Sequence, residues 1–195
     1  LVFSIVLVST FFIGCKKRGC LDPNATNYDS QAQVEDNSCT YADFQRAEML
    51  ENLCDNYIVP AYNNFNSQIS NLKDITTAFS DERTVENFVA VRSQWREALL
   101  SWQDVSFIDF GPAEFIVLKN QVNLFPVDTS LIKSNIALGG YNLDYSSNNV
   151  AKGFQALDFL LNQPNLTDQE HVNYFVSNDD ATAYIIDIST NLLAN

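Results

Sequence analysis

The sequence predicts an all-α protein, an up-and-down helical bundle. Three observations predict it. From Tyr41 onward, apolar residues recur at spacings of three and four rather than alternating. These runs are punctuated by helix starts and stops, such as Thr167 three residues before Glu170 and the pair Gly139-Gly140. Strand-like alternation is sparse, so helix-on-helix packing is the architecture left.

The elements follow in order. Phe44, Ala47, Met49, Leu50, Leu53, Tyr57 and Ile58 form one apolar stripe, with Asp43 placed to favour its positive end. Cys54 falls inside this pattern and reads as a buried free thiol. Pro60 is expected to kink the helix or sit in a break, beyond which Tyr62, Phe65, Ile69 and Leu72 keep the spacing. Ser80 is a fair N-cap for a second helix through Phe88, Arg92, Trp95, Leu99 and Trp102, which puts both tryptophans on or near its buried face. Gly111-Pro112 stops that run, and residues 107–127 read as a long aromatic-rich connection. A third helix runs from Asp128 to Leu138 and closes at the two glycines. A fourth covers about 149–161 and is stopped by Pro164. Thr167 and Glu170 form a capping box for the next helix, in whose first turn His171 reads as a surface residue. Asp179 or Asp180 opens the last helix, along Ile185, Ile188 and Leu192.

Composition excludes several function classes. The 195 residues carry 11 Lys and Arg against 24 Asp and Glu, a formal charge of −13, which repels nucleic-acid phosphates. A hydrophobic content of 46% argues against wholesale disorder. His171 is the single histidine, so any zinc site or histidine-dependent triad within these residues must use it.

Residues 1–13, LVFSIVLVSTFFI, are uncharged and almost wholly apolar, and Gly14-Cys15 and a basic collar at 16–18 follow. Thirteen apolar residues fall short of the roughly 20 that span a bilayer. They suit the apolar region of a secretory signal. Gly before Cys after such a stretch resembles a bacterial lipobox. That resemblance implies a signal peptide over 1–14, acylation of Cys15, a lipidated linker over 15–19, and attachment to a membrane through the acyl chains. The alternatives are a clipped membrane anchor or a buried helix. The lipoprotein reading places the protein outside the cytoplasm, facing the periplasm or the cell surface. The chain starts at Leu1, and its last helix still runs at Asn195, so both ends are expected to be truncated.

Cys20 and Cys39 bracket a polar, turn-rich stretch with almost no apolar residues, which cannot fold on hydrophobic burial alone. In an exported protein a Cys20–Cys39 disulfide is the natural staple for a module over 20–40. The stretch resembles short cysteine-bracketed modules of bacterial surface proteins through Cys20, Asp22, Ala25, Asn27, Tyr28, Cys39 and Tyr41. Asp22, Asn24, Asn27, Asp29 and Asp36 offer oxygen donors for Ca²⁺. The alternative for them is Asx turns and solvation.

Three further strings, in order, resemble the imelysin family of bacterial lipoproteins and periplasmic proteins. The first is Trp95-Arg96-Glu97-Ala98 to Trp102, leading into Phe110-Gly111-Pro112. The second is Phe125-Pro126-Val127-Asp128. The third, Gly153-Phe154-Gln155-Ala156-Leu157-Asp158, stands where the family has Gly-x-His-x-x-Glu. The segment 52–65, with Pro60, is similar to the family's first helix. The resemblance covers roughly 41–195, the first half of a typical member. It implies a helical domain in which Gly111, Pro112, Pro126 and Gly153 are structural.

The resemblance further implies metal chemistry, because family members are described as metallopeptidase-like or linked to iron uptake and periplasmic binding. At this motif the chain departs. Gln155 replaces the histidine and Asp158 the glutamate, so the nitrogen ligand and the general base are lost while the one-turn spacing is kept. The functional reading is an altered polar site of Asp158, Gln155 and Asp128, for a divalent or ferric ion or a polar ligand. The other reading is a Gln155–Asp158 hydrogen-bonded pair, with Asp128 as a helix cap. The expected function is therefore a lipid-anchored envelope protein that binds a metal ion or polar ligand in iron or metal acquisition. The alternatives are a metallopeptidase completed by residues beyond this sequence, or a structural or adhesion module with a protein partner the sequence does not name.

Overall fold

A computed structural model describes residues 16–43 and 45–194. The expected signal peptide, the lipid site Cys15 and the stripe residue Phe44 lie outside the described residues. The chain divides into two compact units after Leu50.

In the first unit, the Cys20–Cys39 disulfide is formed. Strand β1 (Arg18–Gly19) pairs in parallel with β2 (Val34–Glu35), with Arg18 opposite Val34. Side-chain oxygens replace an apolar core as the organising groups. The Glu35 carboxylate accepts from the backbone N–H groups of Leu21 (2.8 Å), Asp36 (3.0 Å) and Asn37 (2.9 Å). Asp22 accepts from Asn24 N–H and Tyr41 O–H, Asp29 from Gln31 N–H and Lys17, and Asp36 from Ser38 N–H. Each of these expected calcium donors thus makes an Asx turn or a local cap.

The second unit is helical, and α1 (Arg46–Leu53) leads into it. Met49, Leu50 and Leu53 are exposed, and so is Cys54, against the expectation of a buried stripe and a buried thiol. Periodicity foretold the helix but not what covers it. A π-helical turn (Cys54–Ile58) joins α1 to α2 (Val59–Asp81), and Val59 N–H bonds to the Cys54 carbonyl. Pro60 has no N–H, and its ring would crowd the carbonyl four residues back, so the wide turn is the form its expected break takes.

Helix α2 buries Phe65, Ile69, Leu72, Thr76 and Phe79, a strict alternation of four and three. A three-residue link turns the chain into α3 (Val85–Val105), so the two form an antiparallel hairpin. Thr84, not Ser80, caps α3 and accepts from Asn87 N–H at 3.2 Å. Ser80 is consumed in the last turn of α2. Trp102 is buried and Trp95 half-buried.

The aromatic connection folds into two short helices, α4 (Pro112–Phe115) and α5 (Leu118–Val122). Asp128 caps α6 (Thr129–Leu138) through bonds from Ser130 and Leu131 N–H at 2.9 and 3.0 Å, and Gly139 ends it at φ +62°. The expected fourth helix is instead a 3₁₀ turn (Ser146–Ala151) followed by α7 (Gly153–Leu161). Gly153 causes the break. Its φ is +76°, and a Cβ there would lie 2.3 Å from the Val122 carbonyl oxygen. Helix α8 (Asp168–Val176) carries the expected capping box. Helix α9 (Asp179–Ala194) opens at Asp179, but Asn178 supplies a cap, accepting from Ala181 N–H at 3.0 Å.

Helices α3 and α9 flank α2, α8 packs on α3 and α9, and α7 is wedged among α3, α5, α6 and α9. Phe79, Phe88 and Phe175 form one aromatic cluster, and Phe65 joins Trp102 to Phe154. Lys152, fully buried, donates to the Leu143 carbonyl (2.6 Å) and the Gln121 side-chain oxygen (3.1 Å). No helix among the described residues is long and apolar enough to cross a membrane.

Candidate functional site

Helix α7 places Gln155 and Asp158 one turn apart, both half-buried, on the wall of a cleft of about 460 Å³. Phe125, Val127, Phe159 and the turn at 162–166 complete its lining. The turn forms because Asn162 ends α7 and Pro164 cannot continue it.

Gln155 and Asp158 do not bond to each other. Gln155 donates to the Asn123 side-chain oxygen at 2.9 Å, while Asp158 Oδ1 accepts from Asn162 Nδ2 at 2.9 Å. The Asn162 oxygen accepts in turn from Arg92 Nε at 3.0 Å, and Arg92 Nη1 is ion-paired to Asp168. A relay of planar groups therefore runs from α8 through α3 to the carboxylate, and each fixes the orientation of the next.

His171 is 2% exposed, not at the surface. Its ring stacks on Phe88 at 5.1 Å, and Arg92 lies over the same phenyl ring at 5.7 Å. The ring bonds to the Thr167 carbonyl and accepts from Gln163 N–H, so it pins the cleft turn from behind and has no nitrogen left for a metal. A clue lay in the capping box. Four residues past the cap is the inward position of a helix start.

Asp128 does not line the cleft, because its carboxylate is spent on the α6 cap. Pro126 follows a cis peptide bond from Phe125, whose ring stands 77% exposed at the cleft rim. Gly111 and Pro112 start α4 and take no part in the cleft, and Gly153 seats α7 against Val122. Sequence reasoning missed Arg92, Asn162 and Gln163, which are unremarkable in one dimension.

Asp158 is the one charged residue lining the cleft, and its other polar groups are amides. This donor set is all oxygen, which suits a hard cation or a hydrogen-bonding ligand but supplies no general base of the histidine type. Elsewhere among the described residues, Cys20, Glu35 and Cys39 bring their ligand atoms within 4.8 Å of one another. The two sulfurs are joined to each other and Glu35 is filled by backbone N–H groups, so no thiolate is left to bind.

These features define a helical-bundle domain whose polar cleft rests on one glycine-opened helix. The chain belongs to the imelysin family, whose sequence profile matches residues 58–195. It is 25% identical over 128 residues to iron-regulated protein A of Synechococcus elongatus, an alignment that takes in 64% of this chain and 35% of the relative. Its fold matches a crystal structure from Parabacteroides distasonis, described as an iron-regulated protein A precursor, with a TM-score of 0.66 and 16% identity over 86% of this chain. The chain spans about a third of the curated relative and, at 47%, about half of the solved one.

Proposed function

We propose that this protein is a lipid-anchored envelope binding protein that serves iron or metal acquisition and holds a metal ion or polar ligand in the α7 cleft. One observation carries the reading. Asp158 is held in place by the Asn162–Arg92 relay at the position where the family's motif has its glutamate. A carboxylate with a locked rotamer at the wall of a cleft binds with little loss of side-chain freedom. Gln155 keeps a side-chain oxygen beside it, since its amide N–H is spent on Asn123. The name of the Synechococcus relative supports the link to iron. Exchange of histidine for Gln155 argues for binding rather than peptide hydrolysis. Acylation at Cys15 would place the cleft outside the cytoplasm, where scarce metal is captured.

The test is growth and iron content of cells that carry the intact gene, or its Asp158→Ala form, under iron limitation. Lower iron uptake with the variant is expected, and equal uptake discards the role. Metal analysis of the purified protein after ferric and calcium loading decides whether the ion itself is the ligand. One retained equivalent, lost in Asp158→Ala, favours the ion, and none discards that form.

A further inference from the structure

We infer that the ligand of the α7 cleft is a neutral polyhydroxylated organic molecule of saccharide type, rather than a bare ion or an anion. The inference rests on the reading of this cleft as a binding site and adds the class of ligand.

Size comes first. A volume of about 460 Å³ is that of a small-molecule site. A hard cation fills a small part of it and needs six or more oxygens, usually with several carboxylates, whereas Asp158 is the one carboxylate here. Charge comes next. With that carboxylate on the wall and a formal −13 over the chain, the field opposes anions. No cation lines the cleft among the described residues, and Arg92 and Lys133 beside its lining groups have partners. Arg92 is committed to Asp168 and Asn162, and the Lys133 ammonium lies 5.8 Å over the Phe159 ring.

The lining then selects among neutral ligands. Gln155, Asn162, Gln163 and Asn165 surround Asp158 with amides, which donate and accept in one plane. Asp158 Oδ2, with the lone pair that Oδ1 keeps beside its bond from Asn162, can accept from a pair of vicinal hydroxyl donors. Phe125 adds a flat apolar platform at the rim, 77% exposed. An aromatic face beside planar polar groups suits a ring with hydroxyls at its edge and C–H bonds on its face.

Titration of the isotope-labelled full chain, followed by backbone amide NMR, tests this with glucose, N-acetylglucosamine and maltose. A glucose phosphate ester and calcium chloride run in parallel. We expect saturable shifts at Gln163, Asn165 and Leu166 with a neutral sugar, with a dissociation constant on the order of millimolar. The phosphate ester should bind about tenfold more weakly, because the field opposes it. Phe125→Ala and Asp158→Asn should each weaken binding about tenfold, roughly 1.4 kcal/mol. The exposure of Phe125 keeps the first variant folded. The inference is overturned if no neutral sugar saturates these amides, if binding survives both substitutions, or if calcium shifts them in preference. A failed iron-uptake assay alongside sugar binding would remove the role in iron and leave the ligand class standing.

Discussion

The backbone N–H of Gln163 donates to Nε2 of His171 at 3.3 Å, while Nδ1 of the same ring faces the Thr167 carbonyl at 3.0 Å. A carbonyl cannot donate and an N–H cannot accept. The pairing therefore fixes the neutral ring as the Nδ1–H tautomer. Long-range nitrogen–proton correlation of the imidazole should show a protonated Nδ1 and a bare Nε2, and the opposite pattern would contradict the pairing. His171→Ala removes the stack on Phe88 and leaves Gln163 N–H without its partner. We expect a loss of about 2–4 kcal/mol in urea unfolding, and faster hydrogen exchange at Gln163.

Gly153 and Gly139 both adopt positive φ, +76° and +62°, yet their surroundings differ. A Cβ on Gly153 meets the Val122 carbonyl at 2.3 Å, whereas one on Gly139 meets nothing within 4 Å. Gly139→Ala should therefore cost only the backbone term, about 1–3 kcal/mol at its φ of +62° and ψ of −165°. Gly153→Ala must also push α7 off α5 and should cost about 1–3 kcal/mol more than Gly139→Ala. Thermal melts of the two variants check this, and equal losses would show that close approach does not set the cost.

Two helix starts were legible from their caps, while the equally local caps Thr84 and Asn178 were passed over for the neighbouring Ser80 and Asp179. Asp128 and the Thr167–Glu170 box act locally, within three residues, so the sequence alone carries them. The 3₁₀ break before α7 was not legible, because it turns on the positive φ of Gly153, and what requires glycine there is a carbonyl 31 residues away in α5. The same holds for the cleft. Gln155 and Asp158 could be placed through the resemblance to the family's Gly-x-His-x-x-Glu motif, whereas Arg92 and Asn162 meet across a separation of 70 residues. His171 was misread because a histidine beside a charged helix start looks solvated until its stacking partner on α3 is in place. The α1 stripe shows the converse error, since periodicity predicts a face without supplying what covers it.

Alkali should unfold the helical unit through its tyrosines. Burial raises the pKa of Tyr141 and Tyr184, and for Tyr141 the bond to Asp187 at 2.6 Å adds to it. A raised folded pKa means that the native state holds the phenol proton longer than the unfolded chain does. Stability is then full below about pH 10 and is lost as pH rises beyond it. Buried Lys152 works in the opposite direction. Desolvation lowers its pKa, so its charge disfavours the native state below its folded pKa, and that penalty eases as pH climbs toward 10.5. Tyr62 and Tyr174 are raised by burial as well, so four tyrosines, Tyr141 the most shifted, act against one lysine and give a net fall. Urea midpoints from pH 9 to 11.5 should drop, less steeply in Tyr141→Phe, and an unchanged slope in that variant would exclude this residue as a cause.

The relay behind Asp158 can be tested from Arg92, which does not line the cleft. Arg92 uses Nε for Asn162 and Nη1 for Asp168, two directions that only a guanidinium serves together. Lysine at this position keeps a charge for the partly exposed Asp168 pair, which is worth little by itself. It cannot also donate to Asn162 in the same plane. Arg92→Lys should thus lower stability by about 1 kcal/mol or less while freeing the Asn162 amide. Removing Asn162 with Asn162→Ala should cost more in the native background than in Arg92→Lys, with a coupling of about 1 kcal/mol in the double-mutant cycle. Additive losses would mean that Asn162 orients Asp158 unaided. Coupling would mean that the carboxylate is aimed from α3, so substitutions at Arg92 should weaken ligand binding while the cleft keeps every group that touches the ligand.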